Sequence, residues 1–153
     1  MAVTHPGRYT FEEYTSKRYI ITIILALISI GIEYFYTTCE TACSYLKGDI
    51  FNIELQYIGI GFMLVIITLA ILKKDTLLLI LLSAGAGIEV YLVGFQIWYN
   101  TYCSYCLAFG GMLMLQFFVN LNWKKKKLVI ASVVTALILF SLVFNGSVAP
   151  VYI

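Results

Sequence analysis

Two cysteine pairs carry the reactive chemistry of this chain: Cys39 with Cys43, and Cys103 with Cys106. The second pair is a Cys-x-x-Cys, placed where a polar, aromatic turn (Trp98, Tyr99, Asn100, Thr101, Tyr102) runs into an apolar stretch. A helix starting near Cys103 would turn its free N–H groups and the positive end of its dipole toward the thiols. That setting favours thiolate over thiol, and the thiolate is the species that attacks disulfides and other electrophiles. Three chemistries fit four cysteines grouped two and two. A relay would pass electrons between the pairs through a mixed disulfide. A four-cysteine zinc site would use the common Cys-x-x-Cys ligand spacing, although no neighbouring histidine is available to support it. Two structural disulfides are the third, but a bridge within one helical turn constrains almost nothing.

The elements that must hold these thiols are membrane helices. Of 153 residues, 61% are hydrophobic and only 12% charged, with a mean hydropathy of +0.92, which excludes an ordinary water-soluble domain. Five apolar runs approach or exceed the roughly 20 residues that cross a bilayer. The expected helices cover residues 19–36, 55–72, 76–98, 101–122 and 128–144, an all-α polytopic bundle of five transmembrane helices. Residues 1–18 read as a polar tail with no cleavable signal peptide. Residues 19–125 form a four-helix core, and residues 126–153 add a fifth helix and a short tail carrying Asn145, Gly146 and Pro150.

Charge fixes the expected orientation. Nine of the ten Lys and Arg residues (Arg8, Lys17, Arg18, Lys73, Lys74 and Lys124 to Lys127) fall on one side of a five-span chain, leaving Lys47 alone on the other. The positive-inside rule makes the nine-residue side cytoplasmic, so both cysteine pairs face the extracytoplasmic, oxidising side. The four consecutive lysines are read as a topological anchor, not as a nucleic-acid or lipid-headgroup site. Trp98 and Trp123 sit at opposite ends as interfacial aromatic anchors.

Several other residues are candidates. Glu33 and Glu89 are acids inside apolar spans, where ionisable groups are costly and often functional. Glu89 is a candidate proton donor, or else a structural acid bonded to Gln56 or Gln116; Glu33 lies nearer the boundary, within reach of water. Gly110 and Gly111, one turn past Cys106, either leave room for a flat ring beside the thiol or serve close helix packing. Asn100 and Gln96 are placed to bond a ring carbonyl. The segment from Gly48 to Glu54 is a candidate amphipathic cap, and Ser83-Ala84-Gly85-Ala86-Gly87 reads as a packing stretch.

The order of these parts resembles the vitamin K epoxide reductase family of membrane thiol oxidoreductases. The resemblance rests on Cys39-Glu40-Thr41-Ala42-Cys43 in the loop after helix 1, and on Cys103-Ser104-Tyr105-Cys106-Leu107 opening helix 4. The approach Glu89-Val90-Tyr91-Leu92-Val93-Gly94-Phe95 adds to it, and Ile60-Gly61-Phe62 is a weaker echo. It covers roughly residues 17–125. It implies a four-helix catalytic core and a quinone (ubiquinone, menaquinone or similar) as electron acceptor. The donor would be a separate thioredoxin-like, DsbA-like thiol protein. Carried over by position, Cys106 meets the quinone, Cys103 exchanges with Cys43, and Cys39 faces the partner. The implied function is disulfide formation; the alternatives are quinone or vitamin K epoxide reduction for its own sake, and, outside the resemblance, a non-enzymatic membrane protein with structural disulfides. At Gly110 the vitamin K-reducing members carry an aromatic residue.

Overall fold

The computed structural model describes residues 7–38 and 46–148. Cys39 and Cys43 lie outside the described residues, as does any cap or relay built on them. Five α-helices dominate: α1 (Gly7–Thr38), α2 (Leu55–Ile71), α3 (Asp75–Trp98), α4 (Ser104–Asn120) and α5 (Lys126–Val143). A single 3₁₀ turn, Trp123–Lys125, leads into α5. Three stretches, Ser16–Thr38, Asp75–Trp98 and Trp123–Val143, are long and apolar enough to cross a membrane; α2 and α4 are shorter apolar helices of 17 residues each.

α1 packs against α2 and α4, and α3 packs against the same two, so four helices close a ring. α5 lies outside it, and its packing against α3 is the most extensive helix–helix contact. Met63, Ile66, Leu82 and Leu113 fill the centre. The outer faces are apolar as well: Ile24, Leu27, Val134 and Leu142 are all at least half exposed. A bundle in water would set polar side chains there, so this outward apolar coat is that of an integral membrane protein.

Polar side chains turn inward instead. Asn120 donates to Thr22 Oγ1 (2.8 Å), and Gln116 donates to Ser29 Oγ (3.5 Å), tying α4 to α1. Such interhelical bonds contribute on the order of 0.6 kcal/mol each inside a membrane. At the lysine-rich end, Arg18 and Tyr19 of α1 both donate to Asp75 Oδ1 at the start of α3. Asp75 sits in the first turn of α3, where the helix dipole also favours a carboxylate.

The all-α expectation is corrected by a small sheet. β1 (Leu46–Ile50) pairs antiparallel with both β2 (Ile53–Glu54) and β3 (Asn145–Val148), giving the order β2-β1-β3. The expected amphipathic cap between Gly48 and Glu54 is therefore a hairpin, and the expected tail after helix 5 supplies its third strand. Phe51 and Asn52, at φ 54° and 63°, form the two-residue loop between Ile50 and Ile53. Left-handed φ at both loop positions is the mirror-type turn that matches strand twist. Asn52 adopts it readily, whereas a bulky residue such as Phe51 seldom does.

Gly48 and Gly146 face each other across the β1–β3 ladder, and the reason is steric. A Cβ on either would lie 2.5–2.6 Å from the ring of Phe144, and on Gly146 also 2.5 Å from Phe95. The glycine pair seats these rings, which meet edge to face at 5.4 Å. The sheet is thereby docked on the aromatic end of α3 and α5. One further boundary differs: α1 begins at Gly7, well before the expected residue 19. The polar residues after Pro6 include no helix breaker other than Gly7 itself, so the helix runs on past its apolar span.

Candidate functional site

Cys103 is the N-cap of α4, with φ −102° and ψ 109°, and its Sγ accepts the backbone N–H of Cys106 at 3.3 Å. The capping position is normally taken by a side-chain oxygen; here the acceptor is sulphur. Both thiols are free, Cys103 buried and Cys106 half-buried. Hydrogen bonding from Cys106, from its thiol and its backbone N–H, holds the Cys103 thiol below the ordinary value, at about 7, against the opposing effect of burial. The sign follows from the direction: as pH rises through about 7 the Cys103 thiolate forms, about two units before an ordinary thiol. In a chain whose only cysteines are Cys103 and Cys106, ultraviolet thiolate absorbance should therefore develop with a midpoint near 7. Cys106→Ala removes the thiol donor and should move that midpoint up; an unmoved midpoint would show that the donor is not what lowers it.

The turn that delivers Cys103 is built by the end of α3. The N–H of Asn100 bonds Ile97 O and that of Thr101 bonds Gln96 O, with Asn100 at φ 50°. This double bond pattern, closed by a left-handed residue, is the Schellman ending of a helix, and asparagine is among the few non-glycine residues that suit it. Asn100 is exposed and does not line the cavity described below, so the structure places it in the backbone turn and not beside a ring carbonyl. Gln96, almost fully buried, accepts the Cys103 N–H on its Oε1 at 2.9 Å and fixes the N-cap from behind.

Cys106 faces the other way, into a cavity of about 660 Å³ between the helices, with residues of the sheet at one end. Phe62, Phe95, Phe109, Phe140 and Phe144 supply its aromatic walls. Phe140 and Phe144 come from α5, so the helix expected to be an addition to the core contributes part of the wall. Glu33 and Glu89 line the same cavity. The partners expected for Glu89 are engaged elsewhere: Gln56 donates to Glu54 at 2.6 Å, and Gln116 to Ser29.

The two glycines past Cys106 are placed differently from a ring-clearing pair. Gly110 is buried and absent from the cavity lining; a Cβ there would lie 2.5 Å from Glu89 Oε2. Its missing side chain makes room for a carboxyl of this chain. Gly111 is exposed, with nothing within 4 Å of a Cβ. Among the described residues no group of three or more His, Cys, Asp or Glu side chains is arranged to hold a metal ion.

Comparison with family models, curated proteins and solved structures gives no match. The reading of the site rests on its geometry.

That geometry offers a dithiol with divided roles. One sulphur caps a helix and is held as an easily formed thiolate. The other opens on a cavity with aromatic rings and carboxyls in its wall. A volume of this size is that of a typical small-molecule pocket. Gln96, which holds the Cys103 N–H, and Phe140 and Phe144, which wall the cavity, had no local signal for those roles in the sequence, because each acts across an element boundary.

Proposed function

We propose that this chain is a membrane thiol–disulfide oxidoreductase of the vitamin K epoxide reductase type, which oxidises an extracytoplasmic thioredoxin-like partner and passes the electrons to a quinone. The single observation that carries the reading is Cys106 lining an aromatic-walled cavity while its partner Cys103 caps the same helix. The cavity fits the head group: it is apolar and flanked by flat rings, with hydrogen-bonding carboxyls in the wall. A bound quinone supplies a sink for two electrons and two protons. Cys103, stabilised as thiolate, closes on Cys106 to form the S–S bond as the electron pair leaves through Cys106. Cys39 and Cys43 shuttle the next pair from the partner protein, regenerating the dithiol by exchange. Five spans, with the amino terminus and lysine-rich loops in the cytoplasm, put all four thiols on the outer face. At 17 residues α2 and α4 are near the lower limit for a crossing, which the same bundle accommodates by local bilayer thinning.

The deciding test is quinone reduction by the purified full chain in detergent with a dithiol donor, across ubiquinone and menaquinone analogues. Turnover well above the uncatalysed rate is expected. Negligible turnover with all of them sinks the enzyme reading.

One observation favours a second reading. Four carboxyls (Glu33, Asp49, Glu54 and Glu89) line the cavity, and no Lys or Arg does among the described residues. Binding of a lipophilic cation would satisfy that charge. Saturable binding of tetraphenylphosphonium by a chain that reduces no quinone is the result that would establish it.

A further inference from the structure

We propose that Glu33 and Glu89 form a paired acid in the wall of the cavity, and that they hand the two protons to the two oxygens of the bound quinone as the Cys103–Cys106 disulfide forms. The inference rests on the oxidoreductase reading and deepens it.

Both carboxyls line the cavity that Cys106 lines, and that of Glu89 lies about a helical turn along α4 from Cys106. Phe109 and Gly110 follow Cys106 by three and four residues, which sets them one turn along α4. A Cβ on Gly59 would lie 3.5 Å from Glu33 Oε1 and 3.4 Å from Phe109 Cζ, so the Glu33 carboxyl is beside Phe109. The Glu89 carboxyl fills the space that Gly110 leaves open. The two acids come from different helices, α1 and α3.

Glu89 is only 6% exposed, and no hydrogen bond or ion pair to it occurs among the described residues. Its carboxyl lines the cavity, where a bound ligand can take its hydrogen bond. The remaining titratable groups of the lining sort differently. Asp49 and Glu54 are cross-strand partners in the capping sheet, Glu54 already accepts from Gln56, and Tyr36 is at the end of α1. That leaves Glu33 and Glu89, carried on the helices α1 and α3, as the acids not committed to the sheet.

The step balances. Formation of the S–S bond from the Cys103 thiolate and the Cys106 thiol releases two electrons to the quinone and breaks the Cys106 S–H bond, the Cys103 proton having gone to solvent when its thiolate formed. One proton passes from each carboxyl to each quinone oxygen, giving the quinol. One carboxylate is then reprotonated by the proton released from Cys106, and the other by solvent through water. A positioned general acid contributes about 10²–10⁴ in rate.

The test uses the full chain in lipid nanodiscs with decylubiquinone and dithiothreitol. Glu33→Gln/Glu89→Gln together should lower kcat by at least about 100-fold with KM changed far less. Ultraviolet formation of the Cys103 thiolate should be unaffected. A second readout needs no turnover: infrared difference spectra of quinone binding to the Cys106→Ala chain carrying ¹³C-carboxyl glutamate. A quinone-induced, label-sensitive shift of a carboxylic C=O band is expected, and it should vanish in the double Gln variant. If wild type reduces quinone but the double variant turns over equally well and no labelled band responds, the paired acid is wrong and the oxidoreductase reading stands. If wild type neither binds nor reduces quinone, both fall. Should the double variant fail to fold, the labelled spectrum of the glutamate-bearing chain decides alone.

Discussion

If the chain is the proposed quinone-linked oxidoreductase, Cys106→Ala is expected to lower quinone reduction by roughly 1,000-fold or more, to the background of dithiol and quinone in solution. The size follows from what the substitution removes. Cys106 is the thiol of the pair that lines the cavity, so its loss removes the contact between the protein's electrons and their acceptor. A thousandfold is about 4 kcal/mol of transition-state stabilisation, modest for a nucleophile that splits one difficult step into two easier ones. Cys106→Ser is the space-preserving control: it keeps the volume and a hydrogen-bonding group but not the reducing sulphur, and the same loss is expected. Cys103→Ala should abolish turnover by another route. It leaves the cavity thiol in place but removes the sulphur that closes the disulfide, and it strips α4 of its N-cap acceptor. Both variants should still bind quinone, so the loss of turnover in either is a loss of chemistry and not of the cavity. If Cys106→Ala keeps more than a tenth of wild-type turnover, the electrons leave through another group and the assignment of roles within the pair is wrong.

The helices were legible because hydropathy and length report directly on burial in lipid. The expected 55–72 and 76–98 became Leu55–Ile71 and Asp75–Trp98, and a start near Cys103 became an N-cap at Cys103. Local chemistry is enough for such boundaries: Lys73 and Asn100, both at left-handed φ, close α2 and α3 with short hydrogen-bonded turns. The sheet was not legible. Its β1–β3 ladder joins Gly48 to Gly146, nearly a hundred residues apart, and neither strand alternates polar and apolar residues in a way that announces it. Within the site, the Cys-x-x-Cys spacing identified the thiols, whereas the partner of Gly110 had no sequence signal. Absent side chains at that position fit a ring, a neighbouring helix or a carboxyl equally well. Only the packing of α3 on α4 chooses Glu89. Asn100 shows the converse. A polar residue beside a reactive pair reads as a ligand, yet its backbone conformation explains it fully.

Gly87→Ala is expected to be the most damaging single-methyl change in the bundle, lowering stability by about 1–3 kcal/mol as overpacking of a tight core does. A Cβ on Gly87 would lie 2.5 Å from the carbonyl oxygen of Val133 in α5 and 3.2 Å from its Cα. The obstacle is backbone, so no side-chain rotation relieves it and the two helices must separate. Gly85, two residues away, makes the contrast. Its added methyl would meet only side-chain tips, Leu113 Cδ1 and Phe62 Cζ at 3.0 Å, which can give way. Gly111→Ala meets nothing and should be neutral or slightly stabilising, since alanine is the better helix former. The ranking to be measured by thermal unfolding in detergent is therefore Gly87→Ala well below Gly85→Ala, with Gly111→Ala at or above wild type. Function should follow the same order. Displacing α5 carries Phe140 and Phe144 out of the cavity wall and loosens the seat of the sheet between Gly48 and Gly146. Gly87→Ala should thus raise KM for the quinone even at temperatures where the chain stays folded, although residue 87 is itself absent from the cavity lining. Equal unfolding temperatures for Gly87→Ala and Gly111→Ala would mean that α5 is not held against α3 at this distance. The cavity would then be a property of four helices and not of five.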